Sequence, residues 1–142
     1  MSTSWVNISR KLSTLKEKEF EAVRDMLCGD SVLVILFGSR ARGEATPLSD
    51  YDVLAIKKQR SDRVVLKWPA QIFNYTVDEV FEELLRLNTL VLDAVLEGIF
   101  LCGDEKLFEE LRREAETIVE RRRLKKAETG WVSRAVLRDG GV

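Results

Sequence analysis

Residues 36–56 read LFGSRARGEATPLSDYDVLAI, and the fold turns on how this stretch is parsed. An apolar run, SVLVILFG, leads into it and delivers Gly38 and Ser39 at its end. Such short, almost unbroken runs of β-branched and apolar residues suit a strand buried on both faces. The segment RARGEATPLS contains Gly43 and Pro47 and no strand alternation, which predicts one helical turn followed by a loop. DYDVLAIKK then reads as a second strand. In a strand, residues i and i+2 share a face, so Asp50 and Asp52 are expected to project together while Tyr51 points the other way.

Outward from this stretch, TLKEKEFEAVRDMLCG (14–29) places Leu15, Phe20, Val23 and Leu27 at helical spacing, with Gly29 as a stop. On the other side, QRSDR is a loop. VVLKWPAQIFNYT favours strand but is broken by Pro69, so the strand is assigned to Gln71–Thr76. Thr76 followed three residues later by Glu79 predicts a capping box opening the helix VDEVFEELLRLN, which assigns Asp78 and Glu79 to the helix start. TLVLDAVLEG is a further helix ending at Gly98, IFLCG a short extended segment, and residues 105–130 a long charged helix. The result is an α+β (α/β) class chain: a small mixed sheet flanked by helices, with a long C-terminal helix. One domain covers 1–142, its core at about 14–110 and its C-terminal helix and tail at 105–142.

Composition narrows the chemistry. The 142 residues are 45% hydrophobic and 33% charged, which suits one domain with a normal core. With 23 Lys and Arg against 24 Asp and Glu, the net charge is −1, and no global positive field draws in nucleic acid or an anionic membrane. No apolar run is long enough to span a bilayer, and the first twenty residues lack a signal-peptide core, so a cytoplasmic location is expected. Cys28 and Cys102 lack CxxC spacing and read as two reduced thiols. There is no histidine, so catalysis must rest on carboxylates, hydroxyls and cations.

Two carboxylates on one face repel unless a cation sits between them, and oxygen donors suit Mg²⁺ or Mn²⁺. Mg²⁺ keeps few protein carboxylates and completes its shell with water and phosphate oxygens, which makes a nucleoside triphosphate the natural partner. Gly38 lets the backbone approach a phosphate, and Ser39 offers a hydroxyl and an amide N–H. Arg40 and Arg42 stand at i and i+2 on a helical turn and cannot both face one ligand; Arg42, nearer the mouth of the loop, is the candidate phosphate ligand.

Gly38-Ser39, then ten residues, then Asp50-Tyr51-Asp52 resembles the signature of the DNA polymerase beta-like nucleotidyltransferase superfamily, in particular its minimal members. LVLDAVLEGIFLCGD resembles the segment that follows the core in those small proteins. The resemblance implies that Gly38, Ser39 and Arg42 bind the nucleotide. It also implies that Asp50 and Asp52 are the catalytic and metal-binding residues, with Mg²⁺ or Mn²⁺ as cofactor. The reaction implied is transfer of a nucleoside monophosphate, from ATP in the first instance, to an acceptor hydroxyl. Small stand-alone members resemble the antitoxin partners of HEPN-type proteins, in which the acceptor is a tyrosine of the partner. The superfamily usually adds a third carboxylate from a neighbouring strand. AQIFNYT contains no acid; Gln71 stands nearest that position and Asp93 is a more distant substitute. A nucleotide- or partner-binding module that has lost catalysis is therefore the alternative expectation.

Two further patterns take plainer readings. RRRLKKAE (121–128) extends the charged helix, so no nucleic-acid partner is expected. The tail GWVSRAVLRDGGV either docks as a short helix or covers a second copy of the chain.

Overall fold

The computed structural model of the chain describes residues 2–127 and 130–133. A long helix α1 (Ser2–Asp30) leads into β1 (Leu33–Phe37), the single-turn α2 (Ser39–Arg42) and β2 (Tyr51–Lys57). Then follow β3 (Val64–Lys67), β4 (Ala70–Thr76), α3 (Val77–Leu85), α4 (Thr89–Glu97), β5 (Ile99–Gly103) and α5 (Glu105–Arg121). A hairpin of β6 (Leu124–Ala127) and β7 (Gly130–Ser133) closes the described chain.

The five-stranded sheet runs in the order β3-β4-β2-β1-β5, with β2 at its centre. β1 is antiparallel to both β2 and β5, whereas β2 and β4 are parallel. The sheet is thus mixed, as expected, and it is covered on both faces. Phe20, Val23 and Leu27 of α1 pack on one face against Val34, Tyr51, Val53, Ala55 and Ile72. On the opposite face Leu33, Ile35, Leu54 and Ile56 meet Val80 and Leu84 of α3, Leu92 and Val95 of α4, and Leu111 of α5. The alternation along β2 follows directly: Tyr51, Val53 and Ala55 point to α1, while Leu54 and Ile56 point to the three-helix layer. Fully burying a Leu, Ile or Val side chain contributes roughly 1.5–3 kcal/mol. This double-sided packing is why SVLVILFG and DYDVLAIKK read as continuous apolar runs.

Several sequence expectations are corrected. The first helix begins at Ser2, not Thr14, because apolar residues at helical spacing continue back to Trp5. VVLK, set aside because of Pro69, is strand β3; it pairs antiparallel with β4 through a turn at the cis Trp68-Pro69 bond. Pro69 interrupts no ladder there, because it lies in the turn of an edge hairpin. The helix after Thr76 stops at Leu85, and Leu87 takes a positive φ of 62° before Asn88 caps α4. α5 ends at Arg121 instead of running to 130: Arg123 adopts φ 50°, and the chain turns so that Leu124 enters the core. Of RRRLKKAE, Arg121 ends the helix and residues 122–127 are a turn and a strand, not its continuation, while Glu128 lies outside the described residues. Of the tail, Gly130–Ser133 is strand rather than helix, and 134–142 lie outside the described residues.

The cysteines are also corrected. Cys28 on α1 lies over Cys102 on β5, with Cα atoms 6.0 Å apart, and the two are joined in a disulfide. Their 74-residue separation hid a contact that exists only because α1 crosses the β5 side of the sheet.

Candidate functional site

β1 ends at Phe37, and the chain turns at Gly38 with φ 76° and ψ −157°, a conformation that an L side chain resists. Space makes the same demand. A Cβ on Gly38 would lie 2.5 Å from Asp52 Oδ2, so the backbone at 38 abuts the carboxylate with no room between them. Gly38 O then accepts from the amides of Ala41 and Arg42, which sets the turn of α2.

Register positions the second carboxylate. Asp52 is paired with Phe37 on β1 and with Gln71 on β4, so these three stand side by side across the sheet. Gln71 shares its face with Phe73 and Tyr75, the face of the three-helix layer. The strand neighbour of Asp52 is thus an amide where a third acid was sought. Asp50 sits just before β2, and its exposed carboxylate is 3.7 Å from Lys16 Nζ. Burial pushes the Asp52 carboxyl above the usual carboxylate range, and the negative charges of Asp50 and Asp93 push the same way, against the opposing pull of Arg42. A group so placed favours a proton or a cation.

The two arginines diverge, as their spacing predicts. Arg40 turns toward α1. Its Nη2 donates to Ser49 O (2.8 Å) and Thr46 O (3.4 Å), and its guanidinium lies 4.2 Å from the centre of the Tyr51 ring, which stacks on Phe20. Arg40 therefore holds the 43–50 loop in place. Arg42 faces the carboxylate side, with Nη1 3.3 Å from Asp93 and Nε 3.2 Å from Glu44. Its side chain is 33% exposed, and those acids raise its pKa, with the Glu44 hydrogen bond the largest cause.

Lys16 was missed from sequence. It is 4% exposed, and besides reaching Asp50 it donates to Ser49 O at 3.1 Å. The signal was present: Lys16, Phe20, Val23 and Leu27 form one helical stripe, and a lysine on a core-facing stripe needs a partner. Asp93 of α4 also enters the neighbourhood through Arg42 and through its field at Asp52. Asp78 and Glu79 do what helix-start acids do. Thr76 and Glu79 close the capping box, and Glu79 also pairs with Arg63.

Among the described residues no group of three or more acidic or thiol side chains is arranged to hold a metal ion, so Asp50 and Asp52 stand as a pair of oxygen donors. A cleft of about 480 Å³ lies elsewhere, at the other end of β2, lined by Met26, Lys57, Arg60 and Asn74, and none of the candidate residues line it.

A mixed sheet that ends one strand in Gly-Ser and opens the next with Asp-x-Asp against that glycine defines the nucleotidyltransferase class of fold. The nucleotidyltransferase domain family model matches residues 17–125, and the chain belongs to that family. Among solved structures, the fold is similar to a chain described as "Crystal structure of the toxin-antitoxin with AMP-PNP". The TM-score is 0.50 at 16% identity, over 74% of this chain and 87% of that one. No curated protein matches the chain significantly.

Proposed function

We propose that the chain transfers a nucleoside monophosphate from a nucleoside triphosphate, ATP in the first instance, to a hydroxyl acceptor. A tyrosine of a HEPN-type protein partner is the acceptor class that best suits a small stand-alone member of this family. The observation that carries the reading is the contact of Gly38 with Asp52: a backbone kept clear for a phosphate directly beside a carboxylate that favours a cation. In this reading Gly38 and Ser39 bind the triphosphate, Arg42 exchanges its acidic partners for a phosphate oxygen, and Asp50 and Asp52 hold Mg²⁺ or Mn²⁺. The bound ion supplies charge neutralisation at the phosphates and acidifies the attacking hydroxyl. Lys16 restrains Asp50, and Arg40 fixes the loop that carries it.

A second reading rests on Gln71. An amide neither accepts a proton at neutral pH nor matches a carboxylate as a metal ligand. With Gln71 beside Asp52, the same site can bind MgATP and a partner without turning over.

The test is incubation of the purified chain with labelled ATP, CTP, GTP and UTP and Mg²⁺ or Mn²⁺, with and without a HEPN-type partner, following binding and pyrophosphate release. Release that disappears in Asp50→Ala/Asp52→Ala supports the transferase. Metal-dependent binding without release supports the binding module, and absence of both rejects the nucleotide reading.

A further inference from the structure

The first half of α1 carries a feature that the nucleotide site leaves unexplained. Trp5, Ile8, Leu12 and Leu15 recur at spacings of three, four and three, the pattern of a two-heptad seam. Trp5, Ile8 and Leu15 are exposed at 62%, 56% and 48%, and Leu12 is half-buried. The core-facing stripe of the same helix starts only at Lys16 and Phe20. Thus about fourteen residues of helix, rich in Ser, Thr and Asn, project beyond the core stripe with an apolar seam uncovered. A helical segment this short and this poor in strong helix formers is marginal without tertiary support.

Charge selects the occupant. The exposed segment 2–15 contains Arg10 and Lys11 and no acid, and the acids Glu17, Glu19 and Glu21 begin only where the core stripe does. In heptad terms Lys11 and Lys18 flank one side of the seam, while Lys16 on the other side is buried against Asp50 and Ser49. A second copy laid on the same seam would oppose cation to cation. A bilayer would require a broad apolar face, whereas the four seam residues span an arc of only about 80° at 100° per residue. An acidic amphipathic helix meets both the seam and its flanks.

We infer that this seam docks an acidic amphipathic helix of a partner protein. The seam runs about 16 Å from Trp5 to Lys16 at the helical rise, and at Lys16 it meets Asp50, 3.7 Å away. A helix seated there is directed at the candidate site, so the docked protein is also the one positioned to offer an acceptor hydroxyl. That last step rests on the nucleotidyl-transfer reading; the docking does not.

The experiment uses the full chain and a fluorescein-labelled 21-residue helical peptide with Leu at both seam positions and Glu at the flanks, compared with the same peptide carrying Lys for Glu. Anisotropy is expected to show the Glu peptide binding at least about tenfold more tightly. Lys11→Glu/Lys18→Glu is expected to reverse that preference. Trp5→Asp/Ile8→Asp, which lies outside the core, is expected to weaken binding by about a hundredfold while leaving MgATP binding intact. No preference between peptides overturns the inference. So does a homodimer in sedimentation that Trp5→Asp/Ile8→Asp dissolves, or capture by phosphatidylserine vesicles in place of the peptide. A chain that prefers the Glu peptide but binds no nucleotide rejects the nucleotidyl reading alone; one that binds MgATP but shows no peptide preference rejects the docking alone.

Discussion

Gly38 and Gln71 flank Asp52 from different directions, and each constrains it differently. Gly38→Ala would set a methyl group 2.5 Å from the Asp52 carboxylate in a backbone with φ 76°. The strain costs about 1–3 kcal/mol, and displacement of the carboxylate is expected to weaken MgATP binding by at least about tenfold; thermal melting and nucleotide titration measure the two effects. Gln71→Glu restores an acid beside Asp52 in register. Under the binding-module reading, pyrophosphate release rises from background to a measurable rate in this variant; an unchanged rate leaves the amide innocent of the defect. The placement of Gly38 against Asp52 was legible in sequence, because their spacing encodes a strand, a turn and a strand, whereas Asp50, expected in the second strand, stands just before it and reaches Lys16. Lys16 was only half legible: its place on the stripe of Phe20, Val23 and Leu27 marks it as core-facing, but its partner Asp50 depends on where α1 crosses the sheet. The divergence of Arg40 from Arg42 was legible in principle from helical geometry, but the partners that separate them come from Ser49 and Asp93.

Among the elements, α3 shows how a local rule can carry a distant bond. Its capping box was readable from Thr76 and Glu79 alone, yet Glu79 also binds Arg63, on the residue preceding β3. The Thr76 backbone amide and Arg63 lower the Glu79 pKa from 4.5 to about 2. A carboxyl so lowered contributes stability above pH 4.5, and the contribution fades as pH falls toward about 2. Glu79→Ala is therefore expected to cost about 1–2 kcal/mol at neutral pH, with wild type and variant converging in urea titrations as the pH approaches 2. β3 was hidden by Pro69, since a proline inside a β-favouring run argues against a central strand but is harmless in the turn of an edge hairpin. The end of α5 was hidden for the opposite reason: RRRLKK keeps good helical propensity, and burial of Leu124 overrides it.

Across the whole molecule, the two covered faces of the sheet follow from patterning that the sequence displays, whereas the strand order and the Cys28–Cys102 link follow from tertiary placement. Closing a 74-residue separation restricts the unfolded chain, and on an entropic account it contributes up to about 4 kcal/mol. Cys28→Ser/Cys102→Ser is accordingly expected to melt well below the oxidised chain, and dithiothreitol to bring wild type down to the variant. A melting curve indifferent to reductant would mean that the link adds nothing to stability.

Asp52 belongs to the middle strand of five, pinned by ladders on both sides and by helices above and below. A strand held on four sides has no freedom to swing, so any substrate-linked movement is expected in the 43–50 segment, which is tied down by the side chains of Arg40, Lys16 and Arg42. Amide exchange should expose that division of labour. Protons on Val53–Ile56 are expected to exchange only with global unfolding, while those of the 43–49 loop exchange through small local openings that slow when MgATP binds. The molecule would then work as a fixed anvil under a moving latch.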